Sequence, residues 1–135
     1  MVAIRLGGSG DMTGDGVRWR YHRAVAQLPS PLLYDNVLYM INDGGIATSF
    51  RPETGDVIAR ARIRGAVDDY YAPVAADGKL FVVGASSKVA VVDTGGTLEV
   101  LAVNGLGSPS YATPAIADGR IYIRTQETLW TFGAH

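Results

Sequence analysis

The chain has no cysteine among its 135 residues, which excludes disulfides and thiolate metal sites but does not fix a compartment. Its only two histidines, His22 and His135, sit near opposite ends and make no intrachain spacing for a zinc site, which needs three or four convergent ligands. Charge is sparse at 19% and nearly cancels to −1, and without a long basic run there is no electrostatic footprint for nucleic acid. No apolar run approaches the ~18–20 residues that a helix needs to cross a bilayer. The opening MVAIRLGGSGDM has no apolar signal core, so the chain as written carries no export address. G-x-S-x-G, H-E-x-x-H and Walker-type segments are missing. Gly7-Gly8-Ser9-Gly10 lacks the lysine and helix that phosphate binding uses, so it reads as a loop.

What is present is glycine (17 residues), β-branched residues and 47% apolar character, a composition that favours an all-β, turn-rich globule of one domain. The stretch APVAADGKLFVVGASSKVAVV, from Ala72 to Val92, is written three times over. SPLLYDNVLYMINDGGIATSF starts at Ser30 and TPAIADGRIYIRTQETLWTF at Thr113. Prolines at 31, 73 and 114 and turn aspartates at 35, 77 and 118 both step by 42 and then 41 residues. Asp-Gly between apolar runs marks a tight hairpin, because both turn residues tolerate positive φ. A repeat of roughly 40–45 residues holding four short strands is the size of one β-propeller blade.

Naming the strands of a blade a to d, the fourth strands are VRWRY (Val17 to Tyr21), VIARARI (Val57 to Ile63) and LEVLAV (Leu98 to Val103). Trp19, Ala61 and Ala102 each lie 12 residues before a repeat proline. The expectation is an all-β partial β-propeller of four-stranded antiparallel blades, about three blade equivalents in a single domain over 1–135. Repeats fall near 30–71, 72–112 and 113–133, with a partial blade at 2–22. The strand sequence is c-d, a-b-c-d, a-b-c-d, a-b-c. A propeller closes with about four to eight blades, so one copy cannot complete a ring. Bare edges and apolar faces are costly, and homo-oligomer formation is expected, a two-fold dimer first, with Val17–Tyr21 of one copy completing the last blade of another. The plainer alternative is that Val2–Leu6 and Val17–Tyr21 form a frayed hairpin.

With the repeats aligned, the chain resembles the PQQ-like β-propeller repeat proteins, which include quinoprotein dehydrogenases and the propeller scaffold of outer-membrane protein assembly. The carriers are SPLLYDNVLYMINDGG, APVAADGKLFVVG and TPAIADGRIYIRT. Arg51-Pro-Glu-Thr54-Gly55-Asp56 sits where such families place D-x-x-T-G-K-x-x-W, a segment that docks a tryptophan between blades. Arg51 replaces its aspartate and Ala59 its tryptophan, while Asp11 and Trp19 keep the spacing of eight. In the next repeat Asp93 is kept and Leu101 stands at the tryptophan position. The cofactor and calcium ligands of the quinoprotein enzymes do not map onto this chain, so the resemblance implies the fold and not redox activity. It also suggests a periplasmic or extracytoplasmic setting.

Propeller sites lie over the central channel, on the d-to-a and b-to-c loops. The most suggestive segment is Asp68-Asp69-Tyr70-Tyr71, where adjacent carboxylates could attract a divalent cation and the rings could orient a ligand, as could Tyr111. The plainer reading is a solvated loop whose tyrosines pack on the next blade. His22 joins Asp68 and Asp69 only as a weak metal candidate. No cofactor is predicted. Structural repeats without catalytic spacing favour a scaffold that binds a protein, peptide or glycan partner over an enzyme. A metal-assisted hydrolase formed on assembly is the alternative, and a quinone-dependent dehydrogenase fragment the third reading.

Overall fold

The computed structural model describes residues 1–65 and 72–133, and among these are thirteen strands and no helix. β1 (Val2–Ile4) and β2 (Val17–Arg20) pair with each other. β3 (Leu32–Tyr34), β4 (Val37–Ile41), β5 (Ile46–Phe50) and β6 (Val57–Arg62) form one four-stranded meander. β7 (Val74–Ala76), β8 (Lys79–Val83), β9 (Lys88–Asp93) and β10 (Val100–Gly105) form a second. β11 (Ala115–Ala117), β12 (Arg120–Arg124) and β13 (Leu129–Gly133) make a three-stranded sheet. This is the partial propeller expected from the repeat, with the strands in the order c-d, a-b-c-d, a-b-c-d, a-b-c.

The three a–b turns are built alike. Asp35-Asn36, Asp77-Gly78 and Asp118-Gly119 all hold both central residues at positive φ, between 47° and 70°. That is the backbone of a type I′ turn, whose twist matches the flanking strands. The a strands β3, β7 and β11 are the parts of successive blades that approach one another, which places them on the inside of the stack.

The c–d ladders are also alike. Each carries a bulge at one rung, skipping Arg18 between Val17 and Trp19, Ile58 between Val57 and Ala59, and Leu101 between Val100 and Ala102. A bulge adds one residue to one strand and increases its local twist. The structure therefore corrects the motif alignment in the last case. Leu101 is the bulged residue, and the position equivalent to Trp19 and Ala59 is Ala102. The loop from Asp93 to Val100 holds one more residue than the loop from Arg51 to Val57, so a spacing of eight from Asp93 stops one position short.

The main core lies between the two complete blades. Tyr39, Ile41 and Ala47 of the first meet Leu80, Val82, Ala90 and Val92 of the second, with Ile63 and Leu98 in the same cluster. A smaller cluster of Val83, Val89 and Ile123, flanked by Leu106, Ile121 and Trp130, joins the second blade to the third. Burial of the large aliphatic side chains among these, each contributing ~1.5–3 kcal/mol when fully removed from water, holds blade to blade.

Candidate functional site

Two surfaces follow from this architecture: the joints between blades, and the loop end where ligands of propellers bind. At the first joint Trp19 of β2 lies over the c–d loop of the following blade. Its ring stacks with Phe50 at 6.4 Å and 18°, and its indole N–H donates to the Pro52 carbonyl at 2.8 Å. Tyr21 meets the same Phe50 edge-on at 4.8 Å. The loop can approach so closely because Gly55 has no side chain: a Cβ there would sit 2.5 Å from Trp19 Cδ2. Gly55 is also at φ +76°, and its N–H closes the turn on the Arg51 carbonyl at 2.8 Å. In the equivalent loop before β2, the Thr13 hydroxyl and backbone N–H both donate to Asp11, holding its carboxyl below the usual carboxylate range.

The second joint is filled from the opposite side. Its d strand offers only Ala59 and Ala61, and Leu98 of the following loop is buried in the cluster against which both pack. Leu98 was expected to open a strand. It lies instead in the loop at φ 56° and is 2% exposed. Two tyrosines of the first blade reach across this joint. Tyr34 accepts from the Gly78 N–H at 3.1 Å, and Tyr39 donates to the Thr94 carbonyl at 3.4 Å. Burial pushes the Tyr39 phenol above its ordinary value.

At the loop end, the d–a segments after β6 and β10 are tied to b–c loops of their own or the next blade. Ile63 N–H donates to Gly45, and the Arg62 guanidinium to Gly44. Leu106 N–H donates to Ser87, and Lys88 reaches the Gly65 carbonyl at 2.9 Å. The Ser110 hydroxyl donates to Arg124 at 2.7 Å, and Gln126 N–H to Pro109 at 2.8 Å. Sequence reasoning found these loops but not their ties, whose acceptors are all backbone carbonyls and carry no residue signature.

Of the predicted site residues, Asp68, Asp69, Tyr70 and Tyr71 lie outside the described residues. Tyr111 is exposed and lines a shallow recess of about 190 Å³ with Ala112, Arg124, Thr125 and Gln126. His22 is exposed just beyond β2. Among the described residues no three His, Asp or Glu side chains converge as a metal site would require. No described helix is long and apolar enough to cross a membrane.

The geometry of repeated four-stranded blades agrees with comparisons to known proteins. Residues 13–134 match the family described as outer membrane protein assembly factor BamB. The chain belongs to that family. A solved structure of BamB from Moraxella catarrhalis superposes with a TM-score of 0.69 at 20% identity, covering 87% of this chain and 37% of that one. The computationally designed Ika4 protein superposes at 0.63 and 15% identity, covering 78% of this chain and 64% of that one. The quinohemoprotein alcohol dehydrogenase from Comamonas testosteroni gives 0.58 at 14% identity, covering 74% of this chain and 17% of that one. These identities establish a shared fold, and the chain spans about a third of the length of the Moraxella protein. No curated protein matches the chain by sequence.

Proposed function

We propose that the chain is a propeller repeat module acting as a binding scaffold for a protein, peptide or glycan partner, and that it completes its ring by joining a second copy. Membership in a family described as an outer-membrane assembly factor supports the scaffold role. The observation that carries the joining is the mismatch between equivalent positions of the blades. Phe132 of β13 is 43% exposed, whereas its counterparts Phe50 and Val92 are fully buried. Leu33 is 60% exposed, whereas its counterpart Ala75 packs against the core. Among the described residues no fourth strand lies beside β13 to cover Phe132, and no first or second strand accompanies β1 and β2 to cover Leu33. Each end displays what the other could cover, and burying such faces is favourable.

Light scattering on the full chain tests this directly. The expected mass is a multiple of 14.3 kDa at micromolar concentration. A single species at 14.3 kDa across the concentration range would remove self-completion. The hydrolase reading rests on Asp68 and Asp69, and metal analysis of the chain beside Asp68→Ala/Asp69→Ala tests it. Equal metal content in both would dismiss it.

A further inference from the structure

We infer that β1 is a displaceable placeholder, occupying on β2 the position that β13 of a second copy takes when two chains join; the inference rests on the self-association proposed above. β2 is a fourth strand by its bulge and by Trp19, which docks on the following blade as a fourth-strand residue should. Its neighbour in that role should be a full third strand like β5 or β9. β1 is a three-residue stub, with Val2 and Ile4 both exposed and the glycine-rich stretch 7–10 behind it. Gly7 and Gly10 adopt positive φ with open space around them, so this link imposes little on where β1 lies.

β13 has what β1 lacks. It is five residues long, pairs with β12 through Leu129–Gly133 as β9 pairs with β8 through Val89–Asp93, and carries no partner strand on its outer edge among the described residues. Aligning the ladders makes Thr131 equivalent to Ser49, Val91 and Ala3, and Phe132 equivalent to Phe50, Val92 and Ile4. On β2, β13 would set Thr131 opposite Trp19 and Phe132 opposite Val17, the places that Ala3 and Ile4 hold. The exchange keeps the bulge, leaves Trp19 on its own blade, and gives the last sheet its fourth strand. It also brings Ala115, Ala117 and Tyr122 over Leu33, which is exposed, and Leu38, which is half-buried. Two chains of three blade equivalents each then make six blades, within the four to eight that close a ring.

The native chain has no cysteine, so introduced pairs report cleanly. Val17→Cys/Phe132→Cys should form a disulfide between chains and run at twice 14.3 kDa without reductant. Ile4→Cys/Val17→Cys should close within one chain. Leu6→Cys/Phe132→Cys, off the ladder, should stay uncrosslinked. Alongside them, Ala3→Pro weakens β1 without touching β13 and should tighten association of the otherwise native chain by about tenfold or more. Association of the native chain with no Val17–Phe132 crosslink, or with crosslinking equal to the Leu6 pair, overturns the exchange and leaves self-association standing. Native chain that stays at 14.3 kDa, with no intermolecular crosslink in any pair, overturns both.

Discussion

Gly55→Ala should be among the most damaging single-methyl additions this chain can suffer. The added carbon would lie 2.5, 2.7 and 2.9 Å from Trp19 Cδ2, Cε3 and Cγ, closer than real Cβ atoms approach rigid rings. The residue is also at φ +76°, where an L side chain costs ~1–2 kcal/mol. If the indole is pushed off, its bond to Pro52 is lost, at ~0.5–1.5 kcal/mol, along with part of its stacking on Phe50, at ~0.5–1.5 kcal/mol. Together these give a loss of about 2–4 kcal/mol. Urea unfolding followed by circular dichroism measures it, and a second variant separates the two causes. In a Trp19→Ala background the steric conflict has no partner, so Gly55→Ala should then cost only the backbone share, about 1–2 kcal/mol. The double variant should therefore be more stable than the sum of the two losses predicts. Additive losses, or a Gly55→Ala chain within about 0.5 kcal/mol of the parent, would refute the reasoning.

Leu98→Ala should cost about 2–5 kcal/mol by opening a cavity at the second joint, measured by the same unfolding experiment. A cost below about 1 kcal/mol would mean that Leu98 does not fill the place left by Ala59 and Ala61. Tyr34→Phe removes the acceptor for the Gly78 N–H and should lower stability by about 1 kcal/mol, with faster amide exchange at Gly78 seen by NMR. Tyr39 gives a pH test. Its folded pKa is raised above the unfolded value near 10, so its contribution is full below pH ~10 and is lost as pH climbs through the folded value. The stability difference between the parent and Tyr39→Phe should shift in favour of Tyr39→Phe above pH ~10, and a constant difference from pH ~9 to ~11 would contradict this.

The blades were legible because their turns are. Asp-Gly and Asp-Asn between apolar runs have few conformations open to them, and three such pairs at one period locate the a and b strands. The fourth strands at Val17 and Val57 were placed correctly, but the last begins at Val100 rather than Leu98 and its register was missed. The bulge is common to all three ladders, but the loop before β10 is one residue longer, and Leu101 could be told from Ala102 only by the ladder itself. Leu98 was hidden for a different reason. A buried leucine at positive φ runs against local preference, and it is held there because the joint needs its volume. Trp19 and the Thr54-Gly55 turn were each legible through the family resemblance, as parts of two copies of one motif, but that one docks on the other was not. The tyrosine ties across the second joint likewise depend on contacts 44 and 55 residues apart in sequence.

The two joints are closed with opposite polarity, and this gives the sheets an order. In one the bulk comes from the preceding sheet and the hollow from the following loop, and in the other the bulk comes from the loop and the hollow from the sheet. A sheet bearing Trp19 set against Leu98 would overfill the contact, while Ala59 set against Gly55 would leave it empty. Neighbours are thus keyed to one another, and a chain whose repeats were shuffled would keep every strand and turn yet fail to stack.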